Sequence, residues 1–137
     1  MIVLAGADVV LPDRLLSPGT LLLDGDRIAD LVPGARTAGS GDVHFDLPQH
    51  YIVPGFIDVH VHGVEGTDVL DGEGAIRTIA ARMPRFGVTA FCPTSIACAP
   101  AALRGLLAAV RAARTDPQSG SARVLPAHLE SNFINPD

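Results

Sequence analysis

Two histidines in this 137-residue sequence have a spacing that allows metal chemistry. His60 and His62 lie in an alternating run in which Ile57, Val59 and Val61 have the opposite parity. Residues two apart in an extended strand lie about 6.5 Å apart on one face, so both imidazoles can converge on one ion. Neutral imidazole is a good ligand for zinc or iron. The apolar residues of opposite parity argue against a strand that simply faces solvent.

Two carboxylates accompany the histidine pair. Asp58 precedes the pair on the same face and could orient one imidazole ring through a hydrogen bond. His128 and Glu130 show the same two-residue spacing later in the sequence. Glu130 could bind the same metal or act as a general base. Alternatively it caps a helix or accepts hydrogen bonds at the rim of a sheet, and its spacing alone favours neither role.

The remaining polar residues indicate structural roles. Thr94 and Ser95 are interpreted as residues that cap the loop after a strand. His44 and His50 are interpreted as surface or hydrogen-bonding residues. The glycine-rich loop over 63–66 lacks the spacing of a phosphate-binding loop, and the sequence contains no lysine.

The elements that position these residues form two groups, of which the first covers residues 1–53. Short apolar runs separated by turns predict an incomplete, sandwich-like β module there. Thr20–Leu23 and Arg27-Ile28 flank Asp24-Gly25, a dipeptide typical of a tight hairpin turn. A surface loop is expected over 33–42, which is rich in glycine and small polar residues.

From residue 54 onward, strands alternate with helices. Strands are predicted over 56–62, 88–94 and 123–130, and each is expected to bury both faces. Asp71 is expected to cap the first helix, and Pro100 to open the second. The buried stripes predicted for the two helices comprise Ile76, Ile79, Ala80 and Met83, then Leu103, Leu106, Leu107 and Val110. This order is typical of right-handed parallel βαβ units in an α/β fold.

Composition excludes several classes of protein. The chain is 47% hydrophobic and 18% charged, as expected of a soluble globular protein. Its formal net charge of -5 argues against binding to nucleic acid or to an acidic membrane. It has no apolar stretch of membrane-spanning length and no basic region of a signal peptide. Cys92 and Cys98 form no disulfide framework, so a cytoplasmic location is expected.

The motifs around the candidate residues resemble a known family. Residues 54–63, Pro-Gly-Phe-Ile-Asp-Val-His-Val-His-Gly, are similar to the first barrel strand of the amidohydrolase superfamily, whose paired histidines bind a catalytic divalent metal. Motifs over 66–72, 87–94 and 128–136 narrow the resemblance to the N-acetylglucosamine-6-phosphate deacetylase family. The order and separation of the four motifs also match the pattern of that family.

This resemblance implies a fold, a cofactor and a reaction. Residues 54–137 would form about the first three strands and two helices of a (β/α)8 TIM barrel, preceded by the β module over 1–53. His60, His62 and Glu130 would bind a divalent metal, either zinc or iron. The reaction implied is deacetylation of N-acetylglucosamine 6-phosphate, a small amino-sugar phosphate, to glucosamine 6-phosphate and acetate.

The resemblance also implies residues that this sequence does not supply. The catalytic acid/base aspartate, two further metal-binding histidines and the sugar-phosphate contacts are expected beyond Asp137. Since a (β/α)8 barrel takes about 250 residues, the chain alone is expected to be inactive. A homo-oligomer or a complementing C-terminal chain is the expected macromolecular partner. Ser131-Asn132 stands where the family commonly has Gly-Pro, which would alter the loop beside the metal.

Two alternatives remain open from the sequence. The first is another amidohydrolase, of the cyclic amidase or aminoacylase type. The second is a non-catalytic, truncated module that self-associates, because a parallel sheet left open after its third strand presents unpaired N–H and C=O groups.

Overall fold

A computed structural model describes residues 1–131 of the chain. The chain divides into two compact units, of which one spans Met1–Pro54 and the other begins at Gly55. Asn132 and the predicted motif residues 133–136 lie outside the described residues.

The first unit contains one mixed sheet. Its strands are β1 (Ile2–Val10), β2 (Leu15–Asp24), β3 (Arg27–Pro33), β4 (Val43–Asp46) and β5 (Tyr51–Ile52). The central strand β1 pairs antiparallel with β2 and parallel with β4 and β5, while β2 pairs antiparallel with β3. The predicted hairpin is confirmed, but its two-residue turn is Gly25-Asp26, one position later than the predicted Asp24-Gly25, because Asp24 pairs with Arg27. Gly25 has the positive φ of 59° that a tight turn requires.

The small core of this unit follows from the alternation along β1. Val3 and Ala5 point into the unit and pack with Leu22 of β2. Gly6 has a φ of 80° and lies where the register of β1 against β2 shifts, as expected of a β-bulge. Burial alternates along β1, whereas the neighbouring residues Leu21 and Leu22 of β2 are both buried, so β2 is covered on both of its faces.

The second unit contains parallel strands connected by helices. In chain order its elements are β6 (Phe56–Val61), β7 (Gly63–Val64), β8 (Thr67–Asp68), α1 (Ala75–Arg82), a 3₁₀ turn (Met83–Phe86), β9 (Val88–Ser95), α2 (Pro100–Thr115), β10 (Arg123–Val124) and β11 (His128–Leu129). β6, β10 and β11 each pair in parallel with β9. Since β6 and β10 both pair with Ala90 and Phe91, they lie on opposite edges of β9. The prediction of parallel βαβ units in an α/β fold is thus confirmed.

The core of the second unit lies between the sheet and the two helices. The stripe predicted for α1 is confirmed, and its buried residues are Ile76, Ile79, Ala80 and Met83. They pack with Phe91 of β9, which has no exposed surface. Leu106 and Val110 of α2 complete the contact as predicted. Leu107 is a wrong prediction, because it is 42% exposed and Ala113 continues the stripe at helical spacing instead.

The ends of α1 and α2 depend on proline and glycine. Pro100 opens α2 as predicted, at a position where its missing N–H costs no helical hydrogen bond. The predicted cap at Asp71 is wrong: α1 begins at Ala75 after Gly74, and Asp71 instead accepts a hydrogen bond from the Asp68 amide. No helix within residues 1–131 is long and apolar enough to cross a membrane.

The third predicted strand is interrupted. Only β10 and β11 form within the range 123–130, and the residues between them include Pro126. Proline has no amide N–H to donate to a sheet, so it breaks the continuous pairing that the apolar pattern predicts. The chain nevertheless returns to β9, because His128 pairs with Thr94.

The expectation that every strand buries both faces is wrong for β6. Ile57 and Val59 are 65% and 63% exposed, whereas Val61 at the end of the strand is buried. In the described part of the chain, β6 hydrogen-bonds to a neighbouring strand only along β9. The apolar residues that alternate along β6 are therefore exposed at Ile57 and Val59 and buried only at Val61, beside the candidate site.

Candidate metal centre

Three side chains converge at the C-terminal ends of the parallel strands. His60 Nε2 and His62 Nε2 each lie 3.0 Å from Glu130 Oε2, and the two nitrogens lie 3.1 Å from one another. Within residues 1–131, these side chains form the one group of three or more His, Cys, Asp or Glu residues that could hold a metal ion. The structure thus brings together the three residues that the sequence predicts as ligands.

The strand order explains this convergence. His60 lies in β6, His62 follows the last residue of that strand, and Glu130 follows β11. Both strands pair in parallel with β9. Parallel strands end at the same edge of a sheet, so side chains some seventy positions apart in the sequence meet there.

The hydrogen bond at Nδ1 of His62 determines whether Nε2 of the same ring presents a lone pair to a metal. Its Nδ1 atom lies 3.0 Å from the main-chain carbonyl oxygen of Thr94. A carbonyl oxygen only accepts hydrogen bonds, so Nδ1 carries the proton. In the neutral ring, Nε2 then presents a lone pair, which is the form that binds metals.

Glu130 carries a buried oxygen atom without a hydrogen bond. Oε2 is shielded from solvent and has no hydrogen-bond partner of acceptable geometry, although both imidazole Nε2 atoms lie 3.0 Å away. The lone pair of neutral His62 and the carboxylate oxygen would repel one another at that distance. A cation satisfies both groups, either as a metal ion or as a second proton on an imidazole.

The distances between the donor atoms fit a small divalent metal. Ligands about 2.0–2.1 Å from zinc are separated by about 3.3 Å at a tetrahedral angle and by about 2.9 Å at a right angle. The observed separations of 3.0 and 3.1 Å lie between these values. Two imidazole nitrogens and one carboxylate oxygen form a donor set that suits zinc or iron. The residues present therefore fit the ion that the resemblance implies.

Thr94 supports this group through its side chain as well as its carbonyl. The hydroxyl accepts a hydrogen bond from the Val61 amide at 2.9 Å and donates one to the Cys92 carbonyl at 3.0 Å. The interpretation of Thr94 as a loop cap is therefore wrong. The partners of its hydroxyl lie within strands β6 and β9. The contact with β6 could have been predicted only by knowing that β6 lies next to β9.

Asp58 and His128 have roles that differ from those of the three converging residues. The carboxylate of Asp58 accepts a hydrogen bond from the main-chain N–H of His60 at 3.1 Å, so the prediction that it orients an imidazole ring is wrong. His128 is exposed and its ring lies edge-to-face with that of His60, with centroids 4.9 Å apart. His128 thus contacts a candidate ligand without joining the donor set.

A short hairpin, formed by β7 and β8, follows His62 directly. The Val69 amide donates to the His62 carbonyl at 2.8 Å and so joins the base of the hairpin to the strand end. A Cβ atom at Gly63 would lie 2.2 Å from the carbonyl oxygen of Thr67, so only glycine allows this close approach. The glycine-rich loop of the sequence thus has a steric role.

Arg82 fixes the same hairpin from α1. Its Nη1 atom donates to the carbonyl oxygens of Val64 and Glu65 and to the hydroxyl of Thr67. This role of Arg82 was not predicted from the sequence, because an arginine in the last turn of a helix is common for electrostatic reasons alone. Its position between Ala80 and Met83, two residues of the buried stripe, was the available signal.

An open cavity of about 420 Å³ borders the two histidines. His60 and His62 line one part of it, while Val64, Met83 and Phe86 contribute apolar surface. This combination of convergent polar groups and apolar walls is typical of small-molecule sites.

The histidines of the first unit lie apart from any such cluster. His44 is exposed on β4. The Nδ1 atom of His50 lies 2.9 Å from the carbonyl oxygen of Pro48. Both agree with the prediction of surface or hydrogen-bonding residues, and they provide matched controls for the histidines of the second unit.

Comparison with known proteins identifies the relatives of the chain. It is 35% identical over 112 residues to the N-acetylglucosamine-6-phosphate deacetylase of Vibrio furnissii, a match that covers 81% of this chain and 25% of that protein. The chain thus spans about a quarter of the length of this curated relative. No protein-family model matches the chain.

Solved structures agree with the sequence comparison. An N-acetylglucosamine-6-phosphate deacetylase from Pasteurella multocida superimposes with a TM-score of 0.85 at 19% identity, over 98% of this chain and 35% of that one, which shows a shared fold. A variant of the deacetylase from Mycobacterium smegmatis, in complex with N-acetyl-D-glucosamine-6-phosphate, has a TM-score of 0.75 at 25% identity and covers 98% and 33% of the two chains. The resemblance inferred from the motifs is confirmed.

Proposed function

We propose that this chain, which is similar to part of the N-acetylglucosamine-6-phosphate deacetylases, contributes three ligands to the catalytic metal centre of such an enzyme. The single observation that carries the proposal is the buried Oε2 atom of Glu130, which faces the Nε2 atoms of His60 and His62 at 3.0 Å without a hydrogen bond. In this proposal, β6, β9 and the β10–β11 segment are the first three strands of a (β/α)8 barrel. Active sites in that fold lie at the C-terminal ends of the strands, where this group lies.

The proposed reaction is deacetylation of N-acetylglucosamine 6-phosphate to glucosamine 6-phosphate and acetate, in the cytoplasm. The shared sequence supports this substrate class, and so does the relative from Mycobacterium smegmatis that was solved in complex with N-acetyl-D-glucosamine-6-phosphate. The cavity beside His60 and His62 provides space for part of a ligand of that size.

The side chains of this chain have distinct tasks in the proposed centre. His60 and His62 supply neutral nitrogen donors, and Glu130 supplies an oxygen with negative charge. The Thr94 carbonyl holds the proton of His62 on Nδ1 and so keeps Nε2 available. A bound zinc or iron ion would polarise an amide carbonyl and lower the pKa of a coordinated water.

Three donors from two strand ends form part of a catalytic centre. We therefore propose that the 137-residue chain alone binds metal weakly and has no enzyme-like activity, and that the acid/base aspartate comes from other sequence. A second copy or a complementing C-terminal chain would be its macromolecular partner in that case.

Metal analysis of purified variants tests this proposal. The chain is incubated with zinc, desalted and examined by elemental analysis, and the folded state is checked by circular dichroism. We expect His60→Ala and His62→Ala to lower the bound zinc, and the double variant to remove most of it, because each substitution deletes one of three donors. His44→Ala and His50→Ala are the matched controls and should retain the wild-type zinc content.

Equal zinc content in the wild type and in the His60→Ala/His62→Ala double variant would refute the ligand assignment. The same preparations are assayed with N-acetylglucosamine 6-phosphate for release of acetate. Rapid turnover of N-acetylglucosamine 6-phosphate by the monomeric chain would contradict the proposed inactivity. The assignment of the metal ligands would be judged separately, by the zinc content of the variants.

A further inference from the structure

We propose that Thr94 is a positioning residue for the metal centre, an inference that rests on the proposed function. Thr94 supplies no ligand, yet its hydroxyl and its carbonyl both hold the segment that carries His60 and His62. It would act on metal binding through those histidines.

The pairing between β6 and β9 explains why a side chain is needed here. Asp58 pairs with Phe91 but Val61 pairs with Pro93, so three steps along β6 correspond to two along β9. This irregularity displaces the β6 backbone from regular pairing just before His62. The Val61 amide donates instead to the Thr94 hydroxyl at 2.9 Å.

The hydroxyl of Thr94 is fully committed to this task. It accepts from the Val61 amide and donates to the Cys92 carbonyl, and the residue has no exposed surface. Water therefore has no access with which to replace a lost partner. A β-branched side chain with both hydrogen bonds made holds one rotamer and so fixes the position of the β6 backbone beside β9.

The main chain around Thr94 connects both groups of candidate ligands. The Thr94 carbonyl accepts from Nδ1 of His62, and Thr94 itself pairs with His128. The next carbonyl, that of Ser95, accepts from the Glu130 amide at 3.3 Å. The end of β9 thus lies between the strand that carries the histidines and the strand that leads to Glu130, so a displacement at Thr94 changes the separation of the donor atoms.

The test compares zinc affinities of the 137-residue chain, measured by competition with a chromogenic chelator. Thr94→Val keeps the shape of the side chain but removes both hydroxyl hydrogen bonds, and we expect about a 10–100-fold weaker affinity, the range typical of residues that support metal ligands. Thr94→Ser restores the hydroxyl and should bind zinc within a few-fold of the wild type.

Thr20→Val is the matched control for loss of a buried threonine hydroxyl. Thr20 also has no exposed surface, and its hydroxyl donates to the Gly34 carbonyl and accepts from the Arg36 amide in the first unit. We expect this variant to lose stability while its zinc affinity stays unchanged. Equal loss of affinity in Thr20→Val would overturn the inference, because it would show that losing a buried threonine hydroxyl in the first unit weakens zinc binding as much as losing that of Thr94.

Nitrogen-15 spectra of the wild-type imidazoles provide a second measurement that needs no variant to fold. A proton on Nδ1 of His62 is expected, and a proton on Nε2 alone would overturn the inference. Wild-type affinity in folded Thr94→Val would overturn it too, although the proposed function would stand. Failure of the wild type to bind zinc would instead refute the proposed function.

Discussion

In the first unit, the buried hydroxyl of Thr20 donates to the Gly34 carbonyl and accepts from the Arg36 amide. In the second unit, the buried oxygen of Glu130 faces two nitrogens without a hydrogen bond. Both units contain buried polar atoms, but only Glu130 Oε2 lacks a partner among the side chains of residues 1–131. Since folded proteins pair nearly all such atoms, the exception indicates where a ligand belongs.

The two units also differ in their hydrophobic cores. The core of the second unit is built from α1, β9, α2 and flanking residues around Phe91, whereas that of the first is formed by Val3, Ala5 and Leu22. The unit with the larger core also carries the unsatisfied carboxylate. A larger core can offset the free-energy cost of a polar site that is incomplete without its ligand.

The largest effect expected from this comparison is that of Phe91→Ala. Removing a fully buried ring creates a cavity and should lower the free energy of unfolding by about 3–5 kcal/mol. Urea titration followed by circular dichroism measures the loss, and the zinc affinity should fall with it because β9 supports the site. Leu22→Ala in the first unit is the control. If it weakens zinc binding as much as Phe91→Ala does, the two units do not behave separately.

A smaller effect is expected from zinc itself. At a free zinc concentration 100 times the Kd, binding should stabilise the folded chain by about 2.7 kcal/mol. Glu130→Gln should abolish this gain, since it removes the charged donor. Without zinc the variant should be no less stable than the wild type, because an amide can donate to an imidazole nitrogen where a carboxylate cannot. Urea titrations with zinc or with a chelator measure both quantities, and zinc stabilisation of Glu130→Gln would contradict the assignment.

The smallest effect concerns Asp42 in the first unit. A hydrogen bond from the terminal ammonium group of Met1, together with the Gly39 amide, lowers the pKa of Asp42 below its ordinary value of 3.8. A lowered carboxyl pKa gives stability that is present above the ordinary value and is lost as the pH falls through the folded-state pKa.

The urea midpoint should therefore decrease on acidification below pH 3.8, and Asp42→Asn should show less of that decrease. An unchanged pH profile in the variant would show that the ion pair between Met1 and Asp42 does not contribute to stability.

The convergence of His60, His62 and Glu130 could be anticipated from the sequence for a simple reason. Alternation places the two histidines on one face of a strand, and parallel strand order returns Glu130 to the same edge of the sheet. The hairpin at Gly25 and the helix start at Pro100 were equally predictable, because local backbone chemistry determines them.

Other features depended on contacts between distant residues. The hydroxyl of Thr94 bonds to Val61, 33 positions earlier, and no local pattern reveals that partner. The exposure of Ile57 and Val59 depends on which elements cover β6. Alternation along one strand does not predict those neighbours. The break at Pro126 was visible in the sequence, but the apolar residues around it obscured it.

The hydrogen bond between the Val61 amide and the Thr94 hydroxyl has a dynamic consequence. Main-chain hydrogen bonds between paired strands open when the strands separate. The bond from the Val61 amide opens instead when the Thr94 side chain rotates about χ1. The β6 backbone beside His60 and His62 can therefore loosen while the pairing of β9 with its neighbours stays intact. Amide hydrogen exchange at Val61 would then follow a local opening of the site, independently of the global unfolding that governs exchange in the centre of the sheet.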